Sequence, residues 1–456
     1  MGKLIGDKSF YRRVLAVMLP IVIQQGITNF VGMLDNIMVG QVGTEQMSGV
    51  AIANQLQFIF QLCIFGSLSG AGIFIAQYYG KGDQEKIQSV FRYKVLSTSL
   101  ITALTLAIFW FFQDPLIRLF LTDNGTGDVE ATLRYGKEYL RIMLISMLPF
   151  AAVQLYSSTM RETGETKVPM YASLLAVFVN LVLNYILIFG KFGAPELGVV
   201  GAAIATMISR FAELGLILIY ARLRRDKFPY FTGIYRTLKV PLGLAGEITK
   251  KGMPLLFNEL MWSLGTTMIV QCYSTRGLDA VAAYNISSTV SQFFSMAVFA
   301  MGSAISILVG QELGAGEFDR ARDTNRKMIA FGVVLCIGAA VLLSIAAPYF
   351  PKIYNTSEGI RDLAMELLWI DAIFLTARGI YNNCYFTLRS GGKALLTFLF
   401  DSVSMWVINL PVAFILAHFT GLPLITMYLI VQIFDALKAF LGLYLVHKGI
   451  WINNLT

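Results

Sequence analysis

Charge is scarce in this chain. Asp, Glu, Lys and Arg make up 14% of its 456 residues, against about 25% in an average soluble domain. Apolar and aromatic residues make up 56%, and mean hydropathy is +0.64. That balance excludes a disordered chain, a collagen-like fibre and a small disulfide scaffold, and it tells against a soluble multidomain enzyme. Such a chain lacks the polar surface to cover itself in water, so the lipid bilayer is its first expected partner. Histidine is nearly missing: His418 and His447 stand far apart with no Cys or carboxylate cluster, which predicts no transition-metal site. Cys63, Cys272, Cys336 and Cys384 each sit in an apolar stretch with no CxxC pair, as small core residues do. There is no P-loop and no G-x-S-x-G. Neither an enzyme nor a bound cofactor is expected. The net charge of +8 is not gathered into a motif that reads nucleic acid, so no nucleic-acid partner is expected.

What the chain has is length in its apolar runs. About twelve reach the roughly 20 residues that a helix needs to cross hydrocarbon: 14–39, 47–79, 90–112, 138–160, 167–190, 198–222, 250–272, 280–311, 328–347, 363–387, 394–418 and 423–446. Barrel-type alternation is missing, so the spans are helices and the fold is an all-α integral membrane one. Lys3, Lys8, Arg12 and Arg13 precede the first span. The rival reading, a cleaved signal, is disfavoured by the length of the run and the lack of an A-x-A exit site.

The basic residues orient the spans. With the amino terminus cytoplasmic, about 25 of the 36 Lys and Arg fall on inside segments and about 7 outside; Arg141, Arg210, Arg378 and Lys438 lie within spans. Both termini are therefore expected inside. The longest inside connection, 223–249, mixes Arg224, Arg225, Lys227, Arg236 and Lys239 with Phe228, Tyr230, Phe231 and Tyr235, the composition of a segment lying at anionic headgroups.

The two halves repeat. At an offset of 234 residues Pro20 matches Pro254, Gly43 Gly277, Gln77 Gln311, Gly80 Gly314, Gly82 Gly316 and Arg92 Arg326. Further on the offset becomes 228 and then 229: Arg161 matches Arg389, Gly164 Gly392 and Asn180 Asn409. Each half holds six spans, an even number, so both enter the membrane the same way. Parallel repeats with an axis along the membrane normal follow, as a lobe over 1–222, a cytoplasmic linker over 223–249 and a lobe over 250–456. Two lobes and no ATPase motif suit a secondary transporter that works by alternating access. Pro20 and Pro254 fall inside helices, where each is a hinge or a fixed kink.

Ionisable and polar groups inside spans need a reason. Asp35 lies near the outer end of span one, with Gln24 and Thr28 near the same face. Asn180 and Asn184 sit one turn apart in span five, and Thr206 lies in the small-residue stretch that opens span six. Amide, hydroxyl and carboxylate oxygens suit a hard alkali cation, and a lone carboxylate suits a proton; glue between helices is the plainer alternative for the Asn and Thr. Glu259 falls near mid-membrane in span seven with Ser263 and Thr266 on one face, flanked by Asn258, which makes it a proton acceptor or a counter-charge for a cationic substrate. Arg210 with Glu213, and Asp435 with Lys438, stand three apart and are expected to pair. Asp371 and Arg378, seven apart, can meet as well, or Asp371 can join a proton site in the second lobe.

Several of these segments together resemble the MATE transporters, the multidrug and toxic compound extrusion family. They are Leu34-Asp35-Asn36-Ile-Met-Val-Gly40, Gln77-x-x-Gly80-x-Gly82, Asn180-Leu-Val-Leu-Asn184-Tyr-Ile-Leu-Ile-Phe-Gly190, Leu197-Gly198-Val-Val-Gly201-Ala-Ala-Ile-Ala-Thr206 and Leu388-Arg389-x-Gly391. The resemblance covers essentially the whole chain. It implies twelve helices in two six-helix lobes, and efflux of cationic or amphipathic drug-like compounds from a prokaryotic plasma membrane in exchange for H⁺ or Na⁺, by a monomer. On this resemblance Asp35 matches the family's first-helix acid, and Asn180, Asn184 and Thr206 match its first-lobe cation site. Many members carry Asp where this chain has Asn184, and the amide removes one negative charge. Glu259 resembles the seventh-helix acid but stands nearer Pro254 than in some branches. The tenth-helix acid of one branch does not align with Asp371. A lipid-linked oligosaccharide flippase of the same superfamily is the second transport reading; it predicts a strongly basic cavity.

Overall fold

The computed structural model describes residues 4–120, 128–354 and 356–456; Lys3 lies outside them. Among the described residues there is no strand. Twelve long helices correspond one to one with the twelve expected spans: α1 Lys8–Gly40, α2 Thr44–Lys81, α3 Gln84–Phe111, α4 Val129–Glu162, α5 Lys167–Phe189, α6 Gly198–Leu223, α7 Leu242–Ser274, α8 Leu278–Gly314, α9 Phe318–Ala346, α10 Glu358–Ser390, α11 Ala394–Phe419 and α12 Leu424–His447. Ten of the described helices are long and apolar enough to cross a membrane by length and composition. The two that fall short, α7 and α10, are 33 residues each, and they are the helices that carry Glu259, Asp371 and Arg378.

Local chemistry sets the ends and breaks of these helices. Asp7 opens α1 by accepting from the Phe10 backbone N–H at 2.9 Å and the Ser9 hydroxyl at 2.8 Å; those two bonds hold its carboxyl below the usual range. Pro20 and Pro254 lie inside α1 and α7, which run on through them. Two π-helical segments, Leu399–Val403 and Met405–Asn409, interrupt α11. At its far end the Arg276 guanidinium donates to the carbonyls of Leu416, Ala417, Thr420 and Leu422 at 2.8–3.0 Å, filling acceptors that a helix end leaves open.

Contacts gather the chain into two compact units. One comprises Ile23–Ile75 and Gln84–Gly246. In it α6 packs on both α4 and α5, and Gly201 lets α6 close on α5, since a Cβ there would stand 2.6 Å from the Leu187 carbonyl oxygen. Inside this unit Lys94 is fully buried on α3, its ammonium donating to Ser158, Thr159 and, at 2.6 Å, to Glu162 on α4.

The other unit comprises Met1–Val22, Ala76–Asp83 and Glu247–Thr456. Its largest core joins Val14, Val17 and Met18 of α1 to Ala300, Ala304 and Leu308 of α8, with Leu388, Phe400 and Trp451. A second core sets Ile269 against Ala283, Leu367, Ala413 and Met427. Gln77, fully buried, donates to the carbonyls of Ser390 and Asn453 and accepts from the Leu455 N–H at 2.7 Å. The repeated glycines meet reciprocally here. A Cβ on Gly80 would lie 1.8 Å from the Gln311 carbonyl oxygen, and a Cβ on Gly314 would lie 1.9 Å from that of Gln77. Each copy of the Gln-x-x-Gly motif thus seats its glycine on the other copy's glutamine, the arrangement that two parallel copies around one axis produce.

Candidate functional site

Four of the expected residues come together in the first half. Asn184 donates to Asp35 Oδ1 at 2.5 Å, so α5 is tied to the outer part of α1. Asn180, one turn earlier on α5, has its amide 3.0 and 3.1 Å from the two Asp35 oxygens. Asn180 also lies 3.2 Å from the Asn184 amide and 3.2 Å from the Thr206 hydroxyl. Its nitrogen donates to both Asp35 carboxylate oxygens and its oxygen accepts from the Thr206 hydroxyl, the orientation that satisfies both amide atoms. Asn184 is 1% exposed and its side-chain oxygen has no hydrogen-bond partner among the described residues. The cluster therefore offers a carboxylate, two amide oxygens and a hydroxyl, the oxygen donors that a hard cation or a shared proton uses.

Gln24 goes elsewhere than beside Asp35. Its amide donates to Ser173 at 2.7 Å, Ser173 donates to Glu213 at 2.7 Å, and Arg210 holds the other Glu213 oxygen at 2.8 Å. Arg161 reaches the Gln24 oxygen at 3.4 Å. Helical periodicity put Gln24 and Asp35 near one face, but three turns of helix separate them along the axis. Thr28 is exposed.

The second half carries its own polar cluster around Glu259. Glu259 has Tyr385, Arg389 and Asp401 as its polar neighbours. Asn258 donates to the Tyr385 oxygen at 3.2 Å and to Asp401 at 2.9 Å, while the Ser402 hydroxyl donates to the Asn258 side-chain oxygen at 2.7 Å. Asp401 and Ser402 lie on the first π-helical segment, where the wider turn shifts the register of the side chains. Ser263, half-buried one turn beyond Glu259, gives its backbone carbonyl to Thr267.

Asp371 is bound up within α10 and its neighbours. It accepts from Arg378 at 3.0 Å, from Tyr428 at 2.7 Å and from Ser291, and none of the other candidate residues is among these partners. The expected pairs of Arg210 with Glu213 and Asp435 with Lys438 form at 2.8 and 2.9 Å.

The repeat relates the two clusters residue by residue. Gln24 bonded to Ser173 becomes Asn258 bonded to Asp401, and Asn180 bonded to Thr206 becomes Asn409 bonded to Asp435 at 2.8 Å. In both pairs a hydroxyl of the first half is an acid in the second. The reverse holds at Asp35 and Asn184, whose counterparts Ile269 and Ala413 belong to an apolar core. Asp401 was missed in the sequence, although an acid inside the expected span 394–418 is the signal that singled out Glu259. Lys94 was missed because it sits near the end of its span, where snorkelling to the headgroups is the usual outcome.

The sequence model of the MatE family matches residues 20–186 and again 254–415, the two matches beginning at Pro20 and Pro254. The chain is 27% identical over 416 residues to a probable multidrug resistance protein NorM of Thermotoga maritima, covering 91% of this chain and 87% of that protein. It is 27% identical over 422 residues to a probable multidrug resistance protein YoeA of Bacillus subtilis, covering 91% and 89%. Its fold matches a solved mutant of the MATE transporter VcmN of Vibrio cholerae with a TM-score of 0.87, at 20% identity and 98% coverage of each chain. With two copies of the family pattern spanning most of its length, on an all-helical membrane fold, this chain belongs to the MatE family of multidrug efflux transporters.

Proposed function

We propose that the chain is a secondary antiporter that exports cationic or amphipathic drug-like compounds in exchange for H⁺ or Na⁺ by alternating access. The observation that carries this reading is the cluster of Asp35, Asn180, Asn184 and Thr206. The buried Asn184 oxygen, unpartnered among the described residues beside the Asp35 carboxylate, is where the cluster would take up a cation or a proton. Exchange requires that ion and substrate favour different states. Glu259 supplies the charge that draws a cationic substrate in the second half, with Ser263 as its polar neighbour; Gln24, Thr28 and Asp371 have further substrate or proton parts.

The family relatives' names as multidrug resistance proteins support the substrate class. The bias of Lys and Arg supports a plasma-membrane orientation with both termini cytoplasmic. The repeat supports a division into lobes at 1–222 and 250–456, and we take the chain to act as a monomer. The flippase reading loses ground because both clusters centre on acids.

Reconstituted liposomes test the proposal. Efflux of a fluorescent cation is followed under an imposed pH gradient and, separately, an imposed Na⁺ gradient. One gradient should drive transport, and Asp35→Asn should lower the driven rate by about tenfold or more, the scale of a lost coupling free energy. Transport of no cation under either gradient would overturn the reading.

A further inference from the structure

The connection after α6 builds a cavity that the transport reading does not use. Its volume is about 450 Å³, and its walls are Leu218, Ala221 and Arg222 of α6, Tyr156 of α4, and Arg225, Phe231, Thr232, Gly233 and Arg236 of the connection. No lining residue is acidic. Among the described residues none of the three guanidinium groups is in an ion pair, and the neighbouring Lys227 already holds Glu165.

The segment that carries two of these arginines is fixed in place. Phe228, Tyr230 and Ile234 are buried. Phe231 packs edge-on against Phe91 at 4.9 Å between ring centroids. Tyr156 shares a hydrogen bond of 2.8 Å with Tyr235, and Gln88 of α3 donates to the Thr232 carbonyl at 2.8 Å. A preformed pocket binds without the cost of ordering a loop.

We infer that this cavity holds the phosphate-bearing headgroup of an anionic phospholipid. Guanidinium groups match phosphate oxygens in paired hydrogen bonds. Three of them at the end of a membrane helix make a basic recess at headgroup level. A lipid fits better than a soluble phosphate because the recess is continuous with apolar helix surface: Leu218 lines it, and Ile219 and Leu223 beside it on α6 are 62% and 75% exposed. The acyl chains have that surface to lie along.

The test uses the purified full-length chain, stripped of lipid in a zwitterionic detergent. Native mass spectrometry and thermal melting follow titrations with phosphatidylglycerol, with phosphatidylcholine of the same acyl chains, and with inorganic pyrophosphate. Phosphatidylglycerol should bind at least about tenfold more tightly than phosphatidylcholine, the scale expected for several basic contacts to an anionic headgroup, and should raise the melting temperature. The triple variant Arg222→Gln, Arg225→Gln, Arg236→Gln should lose that preference, whereas Arg118→Gln, Arg134→Gln and Lys191→Gln together should keep it. If the triple variant does not fold, Arg225→Gln and Arg236→Gln are read singly. Unchanged phosphatidylglycerol binding in the variants overturns the inference. So does pyrophosphate binding that is lost in the variants while no lipid preference is seen, which would make the occupant a soluble phosphate.

Discussion

Asn184 gives its amide hydrogen to Asp35 across 2.5 Å, while its own buried oxygen finds no partner among the described residues. A buried acceptor left open costs about 1–3 kcal/mol, and a bound ion would recover that cost. Introducing a second carboxylate changes which ion. In Asn184→Asp two like charges face each other at hydrogen-bond distance, and relief requires either a shared proton or a cation. The variant is expected to melt at higher temperature in Na⁺ than in an equal concentration of choline. An ion at ~100 times its Kd adds about 2.7 kcal/mol of stability. The parent protein should show a smaller difference, and equal melting of the variant in both salts would count against an alkali-cation geometry at this cluster.

Lys94 and Glu162 form an ion pair with the lysine fully buried and the carboxylate 16% exposed. Lys94→Met leaves the partly exposed Glu162 without its cation. Glu162→Gln leaves the ammonium stranded among Ser158 and Thr159. The second is the more damaging, by about 3 kcal/mol, the cost of an uncompensated buried charge. The double variant should recover part of that loss. Thermal melts of the four proteins in one detergent give the cycle, and simple additivity of the single losses would show the pair to be uncoupled.

Gly80 leaves no room for a methyl group, because the Gln311 carbonyl oxygen would stand 1.8 Å from it and is backbone rather than a movable side chain. Gly80→Ala is expected to cost about 1–3 kcal/mol, as overpacking does, and Gly314→Ala about as much. Gly338→Ala, at a helical glycine with open space around its Cβ, should leave the melting temperature unchanged or raised. Equal effects at all three positions would remove the reciprocal contact from the account.

The number and order of helices were legible because a span declares itself by length and lack of charge. The helices α7 and α10, which fall short of a membrane span by composition, were still readable as apolar runs at 250–272 and 363–387. The cluster at Asp35 was legible in its members, through helical spacing on α5 and the resemblance of the surrounding motifs. Periodicity gave the face that Gln24 shares with Asp35 but not its depth, so its bond to Ser173 was not legible. Asp401 carried a legible signal, an acid inside the span 394–418, but its partner Asn258, 143 residues away, did not. The segment 223–249 read as a headgroup-level stretch; that its aromatic residues lock it into a walled recess depends on which rings meet, and composition does not carry that.

The reciprocal seating of Gly80 on Gln311 and Gly314 on Gln77 has a bearing on origin. A single six-helix protein bearing one Gln-x-x-Gly motif could make the same joint with another molecule of itself, satisfying it twice. Joining two such molecules end to end turns a concentration-dependent encounter into an internal one. It also frees the two copies to differ, which identical subunits cannot do. Acids at Asp401 and Asp435 against hydroxyls at Ser173 and Thr206, and Asp35 against Ile269, are the asymmetry that fusion permits. The joint is held to glycine in both copies, and the chemistry has diverged around it.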